Sequence, residues 1–216
     1  MSVKSIRPTF VEINLKNLAY NFNQIKKQVG KNVKILAVVK ADAYGHGAIP
    51  ISLYLEKLGV DFLGVAYIEE AIELKKAGVK TPIIILGGIF SGQEHYIIEY
   101  DLIPVVYDYK IAQNLSKCAI EKNKNVSIHI KIDTGMGRIG IQGFKVKSFL
   151  EKITDLPCLT ISGILSHLAV AESDLAQDVL FTQMQIDSLK QAIKEFNMLG
   201  LNPDWKHIAN SALIIN

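Results

Sequence analysis

Lys34-Ile35-Leu36-Ala37-Val38-Val39-Lys40-Ala41-Asp42-Ala43-Tyr44-Gly45-His46-Gly47 is an apolar run of strand length that ends on a lysine and opens into a polar, glycine-containing turn. One amine is thereby carried from a buried strand to its carboxyl end. A lysine ordinarily titrates near 10.4 and is a poor nucleophile at neutral pH, but one held among apolar neighbours can lose its proton and condense with an aldehyde. By itself a strand-terminal lysine is more often a solvated charge. The tyrosine, glycines and histidine after it give Lys40 the surroundings of a Schiff-base lysine.

Outward from this stretch the chain alternates short β-branched runs with longer segments of helical spacing. After an extended piece at Thr9 to Asn14, a helix is expected from Leu15 to Val29, then the Lys40 strand. Helices are predicted at 49–58, 68–77, 93–99, 109–122, 144–154 and 174–199, and strands at 62–66, 83–86, 104–107, 126–132, 159–166 and 206–209. Seven parallel strands result, counting that of Lys40. Continuous apolar strands joined by helical crossovers form either an open doubly wound sheet or a closed (β/α)₈ TIM barrel. Lys40, Tyr44, the Asp133 to Arg138 turn, His167 and Asn210-Ser211 all fall at or beyond the carboxyl ends of different strands, the face on which a barrel builds its site. A nucleotide-binding open sheet would instead carry GxGxxG after its first strand, which this turn lacks. The expected fold is therefore a TIM-type α/β barrel, incomplete because an eighth strand is missing, in a single domain spanning 1–216.

Composition excludes other classes. With 216 residues, 49% of them hydrophobic, a core can form without bridges or metals. The 24 basic and 21 acidic residues leave a net charge of +3 spread along the chain, and pairs such as Lys26-Lys27 and Lys75-Lys76 read as solvated helix faces, not as a nucleic-acid footprint. Cys118 and Cys158 show neither CxxC spacing nor a His/Cys cluster, so no metal site is expected. The start Met1 to Arg7 has no apolar export segment, which places the chain in the cytoplasm. The apolar stretch Ile161 to Ala171, interrupted by Ser166 and His167, is too short and polar to cross a bilayer.

Four motifs resemble, in order and spacing, those of bacterial alanine racemase: 39–47, Lys131-Ile132-Asp133-Thr134-Gly135-Met136-Gly137-Arg138-Ile139-Gly140, Ser166-His167-Leu168-Ala169, and His207-Ile208-Ala209-Asn210-Ser211-Ala212. The opening Pro8 to Leu15 is similar too. The resemblance implies that Lys40 carries pyridoxal 5′-phosphate as an imine and later acts as a base on one face of the substrate; a tyrosine from the partner's C-terminal β-domain serves the other. It implies that Tyr44 and Ser211, with Asn210 beside it, hold the cofactor phosphate. Arg138 then orients the substrate carboxylate, and His167 supports an arginine on the pyridine nitrogen. Lys131 matches a lysine that CO₂ can carbamylate to hold Arg138, although Lys131 and Asp133 can equally pair with Arg138 as structural charges. Without the resemblance, Tyr44 reads as a packed aromatic, Asn210-Ser211 as a helix cap and His167 as a core histidine; His46 and His207 read as structural.

The expected activity is interconversion of L- and D-alanine for peptidoglycan supply, by a head-to-tail homodimer. Serine or another small amino acid is the alternative substrate. Because the β-domain and the pyridine-binding arginine have no counterpart before Asn216, the chain is expected to be a fragment with little activity alone. A non-catalytic pyridoxal-phosphate carrier barrel matches the length, but such proteins lack the first two motifs as they stand here.

Overall fold

The structure is a computed structural model that describes residues 9–215. Met1 to Arg7, Pro8 of the opening motif, and Asn216 lie outside the described residues. Thr9 to Asn14 form no strand; instead the Asn14 carboxamide caps α1 (Leu15–Val29) by accepting from the Lys16 and Asn17 amides at 3.0 and 3.3 Å.

There follow β1 (Leu36–Val38), a short turn of helix α2 (Lys40–Gly45), α3 (Ala48–Lys57), β2 (Phe62–Val65), α4 (Ile68–Lys76) and β3 (Ile83–Ile85). Next are α5 (Glu94–Glu99), β4 (Ile103–Val106), α6 (Tyr109–Glu121), β5 (Val126–Asp133) and a two-residue β6 (Ile141–Gln142). The rest comprises α7 (Val146–Ile153), β7 (Leu159–Leu165), α8 (Ala176–Met198), β8 (Trp205–His207) and α9 (Ser211–Ile215). All strand pairs are parallel, in the order β1-β2-β3-β4-β5-β7-β8, with β6 attached to β5.

The sheet curls into most of a barrel. Phe62 on β2 and Trp205 on β8 are five strand spacings apart, about 24 Å in a flat sheet, yet their ring centroids are 5.1 Å apart. Side chains alternate between the two faces. Inward, Ile84, Val105 and Leu165 meet Leu36, Phe62, Leu86 and Tyr107 in a filled barrel interior. Outward, Leu63, Ile83, Ile85, Ile128, Ile130 and Ile132 pack under the helices in the larger core. Among the described residues no pair joins β1 to β8; α1 meets α9 across that opening, where the Gln28 amide donates to the Ile214 carbonyl.

Two imidazoles occupy the interior. The register sets Val105, His129, Gly163 and Trp205 side by side, and position 163 must be glycine because a Cβ there would lie 2.6 Å from the His129 ring. His129 Nδ1 and His207 Nε2 are 3.1 Å apart, and the buried His129 Nε2 has no partner. An orphaned lone pair is less costly than an orphaned N–H, so the His129 Nδ1–H donates to His207.

Strand and helix boundaries match the sequence reading closely at most places. β1 is shorter than expected, although the Val39 amide still donates to the Gly64 carbonyl at 2.8 Å. The strand expected at 206–209 lies at Trp205–His207, because Asn210 is drawn off to cap α9 through the Leu213 amide at 3.1 Å.

Burial pushes both interior histidines well below 6.5, His129 further because His207 faces it and His207 also because Lys131 lies near. Their folded-state values lie below the unfolded one, so between pH 6.5 and about 4 the unfolded chain binds protons that the folded one refuses. Stability therefore falls as pH falls through this window, by up to about 2.7 kcal/mol per pH unit for two sites. Urea unfolding at stepped pH should show this slope, and the double variant His129→Gln/His207→Gln should flatten it.

Candidate active site at the carboxyl mouth of the barrel

Period-two alternation puts Leu36 and Val38 on the inner face of β1, and Lys40 follows two residues beyond the strand's carboxyl end, at the rim of the mouth. The next four residues have an unusual backbone. Ala41, Asp42, Ala43 and Tyr44 all adopt left-handed helical angles, with φ from 51° to 56°. For residues other than glycine this costs roughly 1–2 kcal/mol each, on the order of 4–8 kcal/mol together. Opposing it are the Ala43 amide donating to the Val39 carbonyl at 2.9 Å, the Gly47 amide donating to the Asp42 carbonyl at 2.9 Å, and Asp42 Oδ1 accepting from the Ala48 amide at 2.6 Å. His46 Nδ1 lies 2.8 Å from the Ala43 carbonyl, a structural role as the sequence suggested. From outside the segment, Glu70 Oε1 accepts from the Ala41 amide at 2.6 Å. The turn leaves Tyr44 61% exposed, its ring 5.9 Å from Lys40 Nζ, so it is no packed core aromatic.

Lys131 shares the inner face of β5 with His129. It is only 4% exposed, and among the described residues it has no carboxylate within ion-pairing distance and one polar contact, the Ile132 carbonyl at 3.5 Å. Burial lowers its pKa to about 8, with Asp133 opposing the shift and Arg138 adding to it. The structural alternative, in which Asp133 pairs with Arg138, does not hold. Asp133 Oδ1 instead accepts from the Gly135 and Gly137 amides, both at 3.0 Å, and so folds the loop that presents the exposed Arg138. Gly140 is required where the chain returns past β5, since a Cβ would lie 2.6 Å from the Asp133 amide nitrogen.

His167, half-buried just beyond β7, is held below its usual pKa by burial first and then by the charges of Lys131, Arg138 and Lys40. Lys40, Lys131, Arg138 and His167 all lie at or near the carboxyl ends of β1, β5 and β7. The fully buried Gln185 of α8 ties this region together. Its amide group donates to the His167 carbonyl at 3.1 Å and to Thr134 Oγ1 at 3.3 Å, while its oxygen accepts from the Ala169 amide at 2.9 Å. Each hydroxyl has one proton. Ser166 spends its proton on the Ile132 carbonyl at 2.9 Å, so Thr134 donates to Ser166 at 2.7 Å. Asn210 and Ser211 lie at the start of α9, where Asn210 is the cap and Ser211 is exposed.

The mouth thus collects an amine, a second buried amine, a guanidinium and an imidazole, while the nearby carboxylates Asp42, Asp133 and Glu70 are engaged by backbone amides. Such a donor set suits an aldehyde-bearing phosphate and an amino-acid carboxylate, and pyridoxal 5′-phosphate fits it. Sequence reasoning missed Glu70, Gln185 and His129. Glu70 had one readable signal, its position three residues after Tyr67 at the start of a helix. A cavity of about 580 Å³ lies at the opposite pole among Lys75, Lys80, Asp101 and Lys124, away from these residues. Among the described residues there is no group of three or more His, Cys, Asp or Glu placed to hold a metal ion, and no helix long and apolar enough to cross a membrane.

These features define a β/α-barrel domain with a lysine-centred mouth, and the comparisons with known proteins agree. Residues 13–216 match the family "Alanine racemase, N-terminal domain", and the chain belongs to that family. It is 45% identical over 218 residues to alanine racemase 1 of Caldanaerobacter subterraneus subsp. tengcongensis, covering 100% of this chain and 55% of that protein. It is 42% identical to the alanine racemase of Halothermothrix orenii, covering 100% of this chain and 56% of that protein. The solved alanine racemase of Clostridium difficile 630 in complex with cycloserine superposes with a TM-score of 0.93 at 34% identity, over 99% of this chain and 58% of that one. The chain spans about half the length of the curated relatives it matches.

Replacing Gln185 by leucine would leave the Ala169 amide, the His167 carbonyl and Thr134 without their partner. At about 1–3 kcal/mol for each buried group left unsatisfied, urea unfolding should show a loss of about 3 kcal/mol; a loss below about 0.5 kcal/mol would contradict the network.

Proposed function

We propose that this chain is the cofactor-bearing barrel of a pyridoxal-phosphate-dependent alanine racemase, with Lys40 as the amine that joins the cofactor aldehyde. The observation that carries the reading is that Lys40, Lys131, Arg138 and His167 all stand at or near the carboxyl ends of β1, β5 and β7, in a chain whose relatives are named alanine racemase. When bound, pyridoxal 5′-phosphate supplies the electron sink that makes the Cα–H of the attached amino acid acidic.

The chain's own residues bind, orient and move protons. Lys40 Nζ would hold the cofactor through its aldehyde and, as a free amine, would accept or return the Cα proton on its face. Arg138 takes the substrate carboxylate through a planar fork of N–H donors, which fixes the Cα–H direction. Tyr44, whose hydroxyl-bearing ring projects from the left-handed turn, and Ser211 with Asn210 at the start of α9 receive the phosphate. His167, whose pKa burial and the neighbouring cations lower, would support the arginine that meets the cofactor's pyridine nitrogen. Lys131, lowered to about 8, has enough neutral amine near pH 7 to attack CO₂, and the resulting carbamate would bring Arg138 the anion that Asp133 does not provide. The reading includes a homodimer, a second base from beyond this chain and a cytoplasmic location.

The intact protein with pyridoxal 5′-phosphate should convert L-alanine to D-alanine and wash solvent deuterium into Cα. Arg138→Ala should raise KM for alanine about tenfold or more while the protein stays folded. Absence of turnover on alanine, with conversion of another amino acid, would overturn the substrate assignment.

A further inference from the structure

The left-handed segment from Ala41 to Tyr44 begins at the residue next to Lys40, so whatever fixes the Ala41 amide fixes the direction in which the Lys40 side chain leaves the chain. Within the segment, hydrogen bonds start at the Ala43 amide, which donates to Val39. The Ala41 amide precedes them and is met by one group from another element, Glu70 Oε1 at 2.6 Å. The other oxygen of the same carboxylate, Oε2, accepts from the Ala66 amide at 2.7 Å and the Tyr67 amide at 3.0 Å, the start of α4. One carboxylate therefore closes a helix cap on β2's loop and, with its second oxygen, anchors the neighbouring loop that bears Lys40. A neutral amide in its place could offer an acceptor to one side only and would turn an NH₂ group toward an N–H on the other.

We infer that Glu70 is a positioning residue for the reaction: it holds Lys40 Nζ at the angle proton transfer needs, through the Ala41 amide, without touching cofactor or substrate. This rests on the reading of Lys40 as the cofactor-bearing amine. That reading has a separate check, since the wild-type protein should show the visible absorbance of lysine-bound pyridoxal phosphate and Lys40→Ala should not. If wild type lacks the band, the Lys40 reading fails; the inference about Glu70 is decided only by its own variants.

In the intact protein, Glu70→Gln should keep the absorbance of the lysine-bound cofactor but reduce the circular-dichroism amplitude of that band, which reports the orientation of the ring. kcat for alanine racemisation should fall about tenfold to a hundredfold, the scale of a misplacement of about 1 Å, with KM for alanine changed less than about threefold. Glu73→Gly, an exposed change in the middle of the same helix that leaves the Glu70 contacts in place, should lower the melting temperature without changing kcat. Glu70→Asp, shorter by one methylene or about 1.5 Å, can keep the α4 cap but cannot also reach Ala41; it should reproduce the kcat loss if Glu70→Gln does not fold. A kcat at the wild-type level in either Glu70 variant, or an equal loss of kcat in Glu73→Gly, would overturn the inference.

Discussion

The site depends on a backbone constraint: four consecutive non-glycine residues, Ala41 to Tyr44, wound left-handed directly after Lys40. L-residues avoid this conformation because Cβ crowds the following carbonyl, so the segment survives only because its surroundings over-determine it. Asp42 binds forward to α3, Ala43 binds back to β1, and Glu70 reaches in from α4. The result is a reversal tight enough to keep Lys40 at the rim of the barrel and to stand Tyr44 beside it in the open. A right-handed turn or an extended continuation of β1 would send these side chains elsewhere.

In the rest of the mouth, buried polar groups shape the loops that carry the charged side chains. Asp133 shapes its glycine loop and so presents Arg138; Gln185 binds the β5 and β7 loops to each other and so sets the spacing between Arg138 and His167. Lys131 is the exception, a buried amine that among the described residues has no carboxylate within ion-pairing distance and whose pKa burial lowers to about 8. Below this layer the barrel is sealed by aromatic rings and the neutral histidine pair, which give the site a rigid floor.

Much of this was legible in the residues. The strands declared themselves as apolar β-branched runs, and because polar residues clustered where those runs stop, the barrel and the placement of Lys40, Arg138 and His167 at strand ends could be read from them. The left-handed turn could not, since Ala-Asp-Ala gives no glycine signal for positive φ before Gly45. Gln185 sits on an amphipathic helix among residues that face water, where nothing in the pattern tells a solvated carboxamide from a buried one, and Glu70 showed only its place at the start of a helix. His129 was hidden inside Val126 to Ile132, a run whose apolar neighbours masked the inward-facing imidazole and hence the reason for glycine at 163. Asp133 makes no ion pair with Arg138 among the described residues, because its carboxylate is taken up by the amides of its own loop.

The most direct test of the account is to reduce the intact protein with borohydride in the presence of pyridoxal 5′-phosphate and map the modified peptide. The account predicts a single pyridoxyl group on Lys40, in the peptide that contains the left-handed turn. Labelling of Lys131 or any other side chain, or no label in a folded protein, would contradict it.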